Sequence, residues 1–254
     1  MILQELIDGV AILTLNNPAK RNALSSEVLI ELKARLNAIE KNTDVRVVVL
    51  RAEGNVFSAG HDLSELTKAD VEASREIFGL CTDVMESIRL LPQPVIAEVN
   101  GLATAAGCQL VASCDMAVAS EEARFATPGV NIGLFCTTPG VALSRSISPK
   151  KAMEMLLTGI PISAYEALQH GLVNKVVPLR ELSSHCMELA RHIAKASSLV
   201  VKLGKQAFYR QLELDRPKAY DVAQAVMVDN LKVPDAQEGI KAFLEKRDPV
   251  WSNE

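Results

Sequence analysis

The stretch PVIAEVNGLATAAGCQL, from Pro94 to Leu110, is the most informative about the architecture of the chain. Its pattern is that of a buried strand, a glycine, a short loop of small residues and the start of a helix. An earlier stretch, VVVLRAEGNVFSAGHDL from Val47 to Leu63, has the same order of features. Two strand–turn–helix units of one kind are expected to stack as successive turns of a coil, which predicts an α/β fold.

Both stretches place a turn of small residues at the start of a helix, where backbone N–H groups have no helical acceptor. Two such turns side by side would direct two N–H donors at one point, which is the geometry that binds an oxyanion. Ala–Gly turns also permit close packing of a strand against a helix, and that interpretation suffices for one turn alone. Two turns in matching context favour a functional role.

The rest of the chain alternates strands and helices up to Pro149 and is mainly helical after it. Asp8-Gly9 between two apolar runs predicts a β-hairpin. A long helix is predicted over residues 71–91. An earlier amphipathic helix is predicted with Ser25 or Ser26 as its cap. Its apolar face comprises Val28, Leu29, Leu32, Leu36 and Ile39.

The composition limits the partners and the compartment. The chain has 254 residues, 48% of them hydrophobic, which allows a substantial core. A net charge of −4 and only 4% aromatic residues argue against nucleic acid as a partner. No apolar run is long enough to span a bilayer, so no membrane partner is expected. The first residues, MILQELIDGV, lack secretory and transit character, which predicts a cytoplasmic location.

The five cysteines and four histidines do not form a metal motif. The number of cysteines is odd and no C-x-x-C pair occurs, which is typical of a reducing compartment and excludes a structural zinc site of that type. His185 and His192 have no carboxylate or third histidine at ligand spacing. No metal site is therefore predicted.

Six segments, in a fixed order, carry a resemblance to a known family: NPAKRNAL, FSAGHDL, GLATAAGCQLVASCD, FATPGVNIGL, MLLTGIPISAYEALQHGLVNKVV and AFLEKR. Together they resemble the crotonase, or enoyl-CoA hydratase/isomerase, superfamily over nearly the whole chain. The resemblance implies a crotonase-like spiral of ββα turns in residues 1–195. It implies that helices in residues 196–254 build a homotrimer, which can stack as a hexamer.

The resemblance also implies an acyl-CoA thioester as ligand and no permanently bound cofactor. In such proteins two backbone N–H groups bind the thioester oxygen, and by position these belong to Ala59 and Ala106. Phe243 and Lys246 would reach the CoA of a neighbouring subunit, where a cation suits the phosphates. The other positions that match the family's CoA contacts are Lys20, Arg21, Ser58, Ala59, Gly60, His61, Asp62 and Leu63.

The chain departs from the family's hydratases at two positions. Those enzymes carry two glutamates, which would stand where this chain has Gln109 and Gly129. Adding water to an enoyl thioester needs one group that takes a proton from water and one that delivers a proton to carbon. An amide cannot exchange its proton usefully and a glycine offers only space. Efficient hydration is therefore not expected, although the thioester-binding half is expected to be intact.

Several alternatives stay open for the reaction. His61 could take over proton transfer, because histidine titrates near pH 7. Methylmalonyl-CoA decarboxylases of the superfamily share SAGHD and carry a tyrosine where this chain has Cys136, so a decarboxylase-like lyase is one alternative. Naphthoate synthases also carry a glycine at the position of Gly129 and hold bicarbonate in the gap, but with groups that this chain lacks. A non-catalytic acyl-CoA-binding or regulatory protein is another alternative.

Three further carboxylates invite a catalytic interpretation but are assigned structural roles. Asp62 at a helix start is interpreted as a cap. Asp115 at the start of a strand is interpreted as structural, and Glu98 on a buried strand as a paired core charge.

Overall fold

The computed structural model describes residues 1–253, which form ten strands and eleven α-helices. The strands are β1 Ile2–Ile7, β2 Val10–Leu15, β3 Val47–Ala52, β4 Val56–Ser58, β5 Val95–Val99, β6 Leu102–Thr104, β7 Met116–Ser120, β8 Arg124–Ala126, β9 Ile162–Ser163 and β10 Lys175–Val177. The helices are α1 Ser26–Glu40, α2 Leu63–Leu66, α3 Val71–Leu90, α4 Ala106–Ser113, α5 Thr137–Ser146, α6 Pro149–Thr158, α7 Ala164–His170, α8 Leu182–Ala194, α9 Ser198–Gln211, α10 Arg216–Asn230 and α11 Pro234–Glu245. Short 3-10 turns occur at Pro18–Lys20, Pro128–Ile132 and Leu179–Glu181.

Two sheets run side by side through the spiral. The first has the strand order β1-β2-β3-β5-β7-β10, and the second has the order β4-β6-β8-β9. The predicted hairpin is confirmed, since β1 pairs antiparallel with β2 and Ile2 lies opposite Leu15. β3 pairs parallel with β5, and β4 pairs parallel with β6. The two matching sequence stretches are therefore neighbouring turns of one coil, as predicted.

A third turn of the spiral continues the same pattern. β7 lies beside β5 in the first sheet, β8 lies beside β6 in the second, and α5 follows them. The α/β fold with ββα turns is thus confirmed. This third unit was not predicted, because β8 has only three residues and so shows no periodicity in the sequence.

The hydrophobic core lies on both faces of the first sheet. One cluster packs α1, α3 and α4 against the sheet, and a second packs α8 against the opposite face. The predicted apolar face of α1 is fully buried, and the Ser25 side chain caps the helix by accepting from the backbone N–H of Val28. Burial of this face in the first cluster contributes to stability through the hydrophobic effect.

The C-terminal helices lie on this core but leave much apolar surface exposed. No residue of α9 or α10 is fully buried. α9 is attached through Lys205, whose ammonium donates to Asp115 at 2.7 Å and to the carbonyls of Ile88 and Gln93. The domain boundary at residue 195 and the trimer stay predictions, and Glu254 lies outside the described residues. Across the described 253 residues no helix is long and apolar enough to cross a membrane.

Candidate functional site

The turns that follow β4 and β6 touch each other. Gly60 has φ = 86°, in the left-handed region that glycine adopts without strain. A Cβ built on Gly60 would lie 3.0 Å from the Cβ of Ala105 and 3.2 Å from the backbone nitrogen of Ala106. The predicted side-by-side arrangement of the two turns is therefore confirmed, and glycine is required at this contact.

Two backbone N–H groups at this contact lack an acceptor within residues 1–253. Ala106 is the first residue of α4, and its N–H has no helical acceptor. On the other turn, the N–H of Ala59 donates to the carbonyl of Arg21 at 3.0 Å, and that of Gly60 donates to Ser58 Oγ at 3.2 Å. The N–H of His61 comes next and is free. The prediction that Ala59 supplies a free donor is therefore wrong, because a distant carbonyl already occupies that donor.

Ala105 holds the second donor in place through an unusual backbone conformation. It has φ = 49° and ψ = −119°, a region that costs an L-residue on the order of 1–3 kcal/mol. Its N–H donates to the carbonyl of Ala126, and its carbonyl accepts from the N–H of Gln109. These bonds fix the strained residue immediately before Ala106, whose N–H is one of the unpaired donors at the start of α4.

Gln109 lies one turn further along α4 and lines a cavity of about 650 Å³. The side chain is 5% exposed. Its Oε1 is buried and accepts no hydrogen bond from any described residue. A buried amide oxygen without a donor is costly, so this atom is suited to a ligand group or a water.

Side chains of four helices, α3, α4, α5 and α9, line the cavity that Gln109 faces. Phe78 on α3 contacts the ring of His61 edge-on at 5.2 Å. Thr82, Met85 and Arg89 follow on the same face of α3 and line the cavity. The face of α5 that lines the cavity comprises Thr138, Val141, Ala142, Arg145 and Ser146. This cavity could not be predicted from the sequence, because no motif marks the faces of helices that are distant in sequence.

Gly129 does not provide the space that the sequence predicts. A Cβ at this position would lie 2.0 Å from the carbonyl oxygen of Leu134 and 2.8 Å from Cys136 Sγ. The prediction of a gap left by a missing glutamate is therefore wrong, because the chain between Leu134 and Cys136 fills it. Burial raises the pKa of the Cys136 thiol, so this side chain stays protonated at neutral pH.

The imidazole of His61 is largely buried and neutral. Burial lowers the pKa of His61, and the nearby backbone of Leu24 and the charge of Glu65 only partly oppose this effect. Neither ring nitrogen has a hydrogen-bond partner among residues 1–253. A neutral imidazole has one donor and one acceptor nitrogen, so a ligand could engage either of them.

The first loop and the Gly60 turn form one cluster. Ser58 is buried and donates its hydroxyl to the carbonyl of Asn22, so it anchors the turn. Asp62 caps α2 as predicted, and hydrogen bonds from Ser64 hold the pKa of its carboxyl below the usual value. Lys20 lies 3.4 Å from Asp62, with most of its side chain exposed.

The remaining predicted CoA contacts lie in two places, on α11 and at this cluster. Phe243 is 82% exposed on α11. Lys246 ends that helix with φ = 55°. Leu63 and Arg21 are exposed at the cluster of the first loop and the Gly60 turn, where the carbonyl of Arg21 accepts from Ala59. The role of Phe243 and Lys246 at a neighbouring subunit stays a prediction.

Two of the carboxylates that were assigned structural roles have that role. Asp115 accepts from the N–H of Val95, from Lys205 and from the hydroxyl of Tyr209, which ties α9 to the core. Glu98 is buried and accepts from the hydroxyl of Ser183 rather than from a cation, so the prediction that it is a paired core charge is wrong. Over the part of the chain that the structure describes, no group of three or more His, Cys, Asp or Glu could hold a metal.

Comparisons with known proteins agree over nearly the whole chain. A profile of the enoyl-CoA hydratase/isomerase family matches residues 5–254. The chain is 56% identical over 249 residues to human enoyl-CoA hydratase domain-containing protein 3, mitochondrial, covering 98% of this chain and 82% of that protein. A crystal structure of the human protein is similar with TM-score 0.97 and 55% identity, over 98% of this chain and 99% of the solved chain. An enoyl-CoA hydratase structure from Mycobacterium smegmatis gives TM-score 0.96 and 48% identity, covering 98% of each chain.

The same comparisons correct the predicted location. The human, mouse and rat relatives, at 56%, 53% and 54% identity, are named mitochondrial proteins. The prediction of a cytoplasmic location is therefore wrong. It rested on the first residues of the sequence, and in the structure Ile2–Ile7 are already strand β1. The composition of a strand within the fold carries no information about sorting.

Proposed function

Because the chain belongs to the enoyl-CoA hydratase/isomerase family, we propose that it binds an acyl-CoA thioester and polarises the thioester carbonyl with the backbone N–H groups of His61 and Ala106. The branch of the family is that of enoyl-CoA hydratase domain-containing protein 3, and the family acts on CoA thioesters. The observation that supports the proposal is the contact between Gly60 and Ala105, which brings two unpaired donors together.

The two donors suit a reaction that passes through an enolate. With the thioester oxygen between them, they stabilise the negative charge that develops when a proton or another group leaves Cα. The N-terminus of α4 adds the favourable end of its dipole to the same oxygen. No donor has to move, because the strained backbone of Ala105 already fixes one of them.

Efficient hydration is not part of the proposed function. Gln109 supplies a neutral amide, and Gly129 lies behind the carbonyl of Leu134. The carboxylates that line the cavity are Glu86, Asp115 and Glu213, and each is paired with a cation. The titratable group beside the donors is the imidazole of His61, which we propose as the proton carrier to or from Cα.

Decarboxylation of a 2-carboxyacyl-CoA is the second candidate. The bond between Cα and the carboxylate breaks, its electron pair enters the thioester enolate, carbon dioxide leaves, and Cα then takes a proton from water. This reaction needs enolate stabilisation but no base. The observation that favours it is that each cavity carboxylate is paired with a cation, which leaves no free carboxylate to act as a base.

The CoA moiety is proposed to lie across the first loop, where Lys20 and Arg21 are exposed. Lysine and arginine bind phosphate groups through charge-assisted hydrogen bonds. Phe243 and Lys246 are proposed to complete this site from a neighbouring subunit of a homotrimer or hexamer. Their high exposure in one chain is consistent with such a role.

The test is ligand-induced stabilisation of the native protein and of Gly60→Ala. Acyl-CoA esters should raise the melting temperature of the native protein, because a ligand that binds only the folded state stabilises it. In Gly60→Ala the added Cβ would contact Ala105 and separate the donors, so the shift should disappear. Gly79→Ala is the matched control, since a Cβ there meets nothing within 4 Å. No shift or heat with the native protein would refute the proposal.

A screen of acyl-CoA esters by mass spectrometry then separates the reactions. Loss of carbon dioxide identifies the decarboxylase, and deuterium uptake at Cα in D₂O identifies proton transfer through an enolate. Binding without any product would show a non-catalytic acyl-CoA-binding protein.

A further inference from the structure

We infer that the cavity beyond Gln109 accepts the tail of an acyl group whose far end carries a carboxylate, and that Arg145 binds that carboxylate. The inference rests on the proposed function, since it takes the thioester carbonyl to lie at His61 and Ala106. It concerns a different part of the molecule, the end of the cavity farthest from these donors.

α3 and α4 lead from the two donors to the cavity, which Gln109 lines one turn beyond Ala106. α3 runs from Phe78, which contacts His61, to Arg89, which lines the cavity. α4 runs in the same sense, from Ala106 at the donors to Ser113 in the cavity wall. An acyl chain bound at the donors is therefore directed along both helices.

α5 forms the third wall and brings Arg145 to the far end. Cys136, which precedes α5, lies beside Gly129, while Ser146 at its other end donates to the carbonyl of Ala112 at 3.1 Å. Arg145 is adjacent to Ser146 and lines the cavity. Its position is therefore near the C-terminal end of α4, far from the thioester.

Charged and polar side chains stand beside apolar ones such as Val141 and Leu212 in the cavity wall. An apolar tail is expected in a pocket lined mainly by hydrophobic side chains. Side chains with hydroxyl, amide or charged groups line this cavity on every wall: Thr82, Glu86, Arg89, Ser113, Asp115, Thr138, Arg145, Ser146, Asn174, Tyr209 and Glu213. Glu86, Asp115 and Glu213 are already paired within the chain, so a ligand carboxylate is expected to bind a cation that has no such partner.

Arg145 is the arginine of this wall that lacks a carboxylate partner within residues 1–253. Arg89 is paired with Glu86 at 2.6 Å and with Glu213 at 3.6 Å. Arg145 donates only to the carbonyl of Val141 on its own helix, at 3.0 Å. Its guanidinium keeps donors in a planar fork, which suits a carboxylate. A ligand carboxylate would supply the missing negative charge.

The length of α4 between the donors and the far end of the cavity determines the expected length of the acyl tail. The seven steps from Ala106 to Ser113 cover about 10 Å of helix. An extended chain of about eight carbons covers about 9 Å. The inferred ligand class is therefore a medium-length dicarboxylic acyl group esterified to CoA at one end.

The experiment compares suberyl-CoA with octanoyl-CoA, which have eight carbons and differ only at the terminus. By calorimetry, suberyl-CoA should bind the native protein at least about fivefold more tightly, the gain of a partly exposed ion pair. Arg145→Gln should weaken the binding of suberyl-CoA about fivefold and leave the binding of octanoyl-CoA unchanged. Arg145→Lys should keep part of the preference. Added salt should reduce the preference, because it screens an exposed pair.

Arg180→Gln is the matched control, since Arg180 is exposed, pairs only with Glu181 and lies outside the cavity. It should change neither affinity. Octanoyl-CoA binding as tightly as suberyl-CoA, or a preference that survives Arg145→Gln, would overturn the inference and leave the proposed function intact. Failure of both esters to bind would instead refute the proposed function.

Discussion

Ala105 adopts a strained backbone conformation immediately before the donor N–H of Ala106. Its φ of 49° is unusual for an L-residue, and two backbone hydrogen bonds hold it there. Glycine adopts this region without penalty but adds entropy to the unfolded chain. The difference between these two effects gives a measurable prediction.

Ala105→Gly is expected to raise the free energy of unfolding by about 1 kcal/mol, because the relieved strain exceeds the added entropy of the unfolded chain. Urea unfolding measures the change. Ala34→Gly, at an exposed position inside α1, is the control and should lower the same quantity by about 1 kcal/mol. An equal decrease in the free energy of unfolding in both variants would show that the backbone of Ala105 is not strained.

Gln109 and Gly129 respond differently to a glutamate. Gln109→Glu keeps the shape of the side chain and is expected to raise the hydration of crotonyl-CoA, by up to about 10²-fold. Gly129→Glu should instead destabilise the protein, since its Cβ would overlap the carbonyl of Leu134. The double variant should therefore be less stable than Gln109→Glu alone and gain little activity over it.

Kinetic assays of crotonyl-CoA hydration and thermal unfolding test both statements. Native kcat/KM of roughly 10⁴ M⁻¹s⁻¹ or more would contradict them, because it would mean that another group performs the proton transfers. His61→Ala would then be the variant that identifies the group.

The sequence predicted the position of Gln109 on α4 but not the state of every donor. Ala59 was expected to be free, yet its acceptor belongs to Arg21, far away in the chain. The carbonyl that closes Gly129 likewise comes from a loop whose path no local pattern specifies. Contacts of this kind depend on how elements pack, so motif position alone could not reveal them.

At the scale of elements, long helices and buried strands followed from periodicity and capping. α1 and α3 begin after Ser25 and Asp70, whose side chains accept from backbone N–H groups of the first turn. The second sheet was not predicted, since its strands have two or three residues each. Such strands are defined by their neighbours and not by their own composition.

The C-terminal tail is held by Asp235 at the start of α11. Its carboxylate accepts from the hydroxyl of Ser197 and from the backbone N–H of Asn253. Burial alone would raise the pKa of Asp235, but these hydrogen bonds outweigh it and hold the pKa below the usual 3.8. Trp251, the single tryptophan, donates from its indole N–H to the carbonyl of Lys195 and reports on this region.

Acidification is expected to release the tail. Because the pKa of Asp235 is lower in the folded state, its contribution to stability is present above about pH 4 and is lost as the pH falls below that. Trp251 fluorescence should shift to longer wavelength over this range. Asp235→Asn should show part of the shift at pH 7, whereas Asp229→Asn, at an exposed pair with Lys232, should show none. An unchanged spectrum in Asp235→Asn would contradict the assigned role.

At the scale of the whole molecule, the family and the spiral were predictable because six ordered segments cover nearly the full chain. Their order is more specific than any one of them. The location was not predictable, since sorting depends on signals that the fold does not require. The assembly stays a prediction, and the surface of α10 offers a way to test it.

The protein is expected to form a trimer or a dimer of trimers. α10 has no buried residue in one chain, and Tyr220, Met227 and Val228 are each more than half exposed. Exposed apolar side chains at this density are typical of an interface. Light scattering should give three or six times the mass of one chain, 27.5 kDa. Met227→Glu should lower that mass and Glu245→Gln should not; a monomer at micromolar concentration would contradict the prediction.

The two free N–H groups have a consequence for protein engineering. Every amino acid except proline supplies a backbone N–H, so the side chain at position 61 is chemically independent of the donor beside it. Gly60 fixes the turn and so keeps the donor in place whatever side chain follows it. A designer could therefore install a carboxylate, a thiol or a spectroscopic label at position 61. In each variant the two backbone N–H groups would still be positioned to bind an oxygen atom.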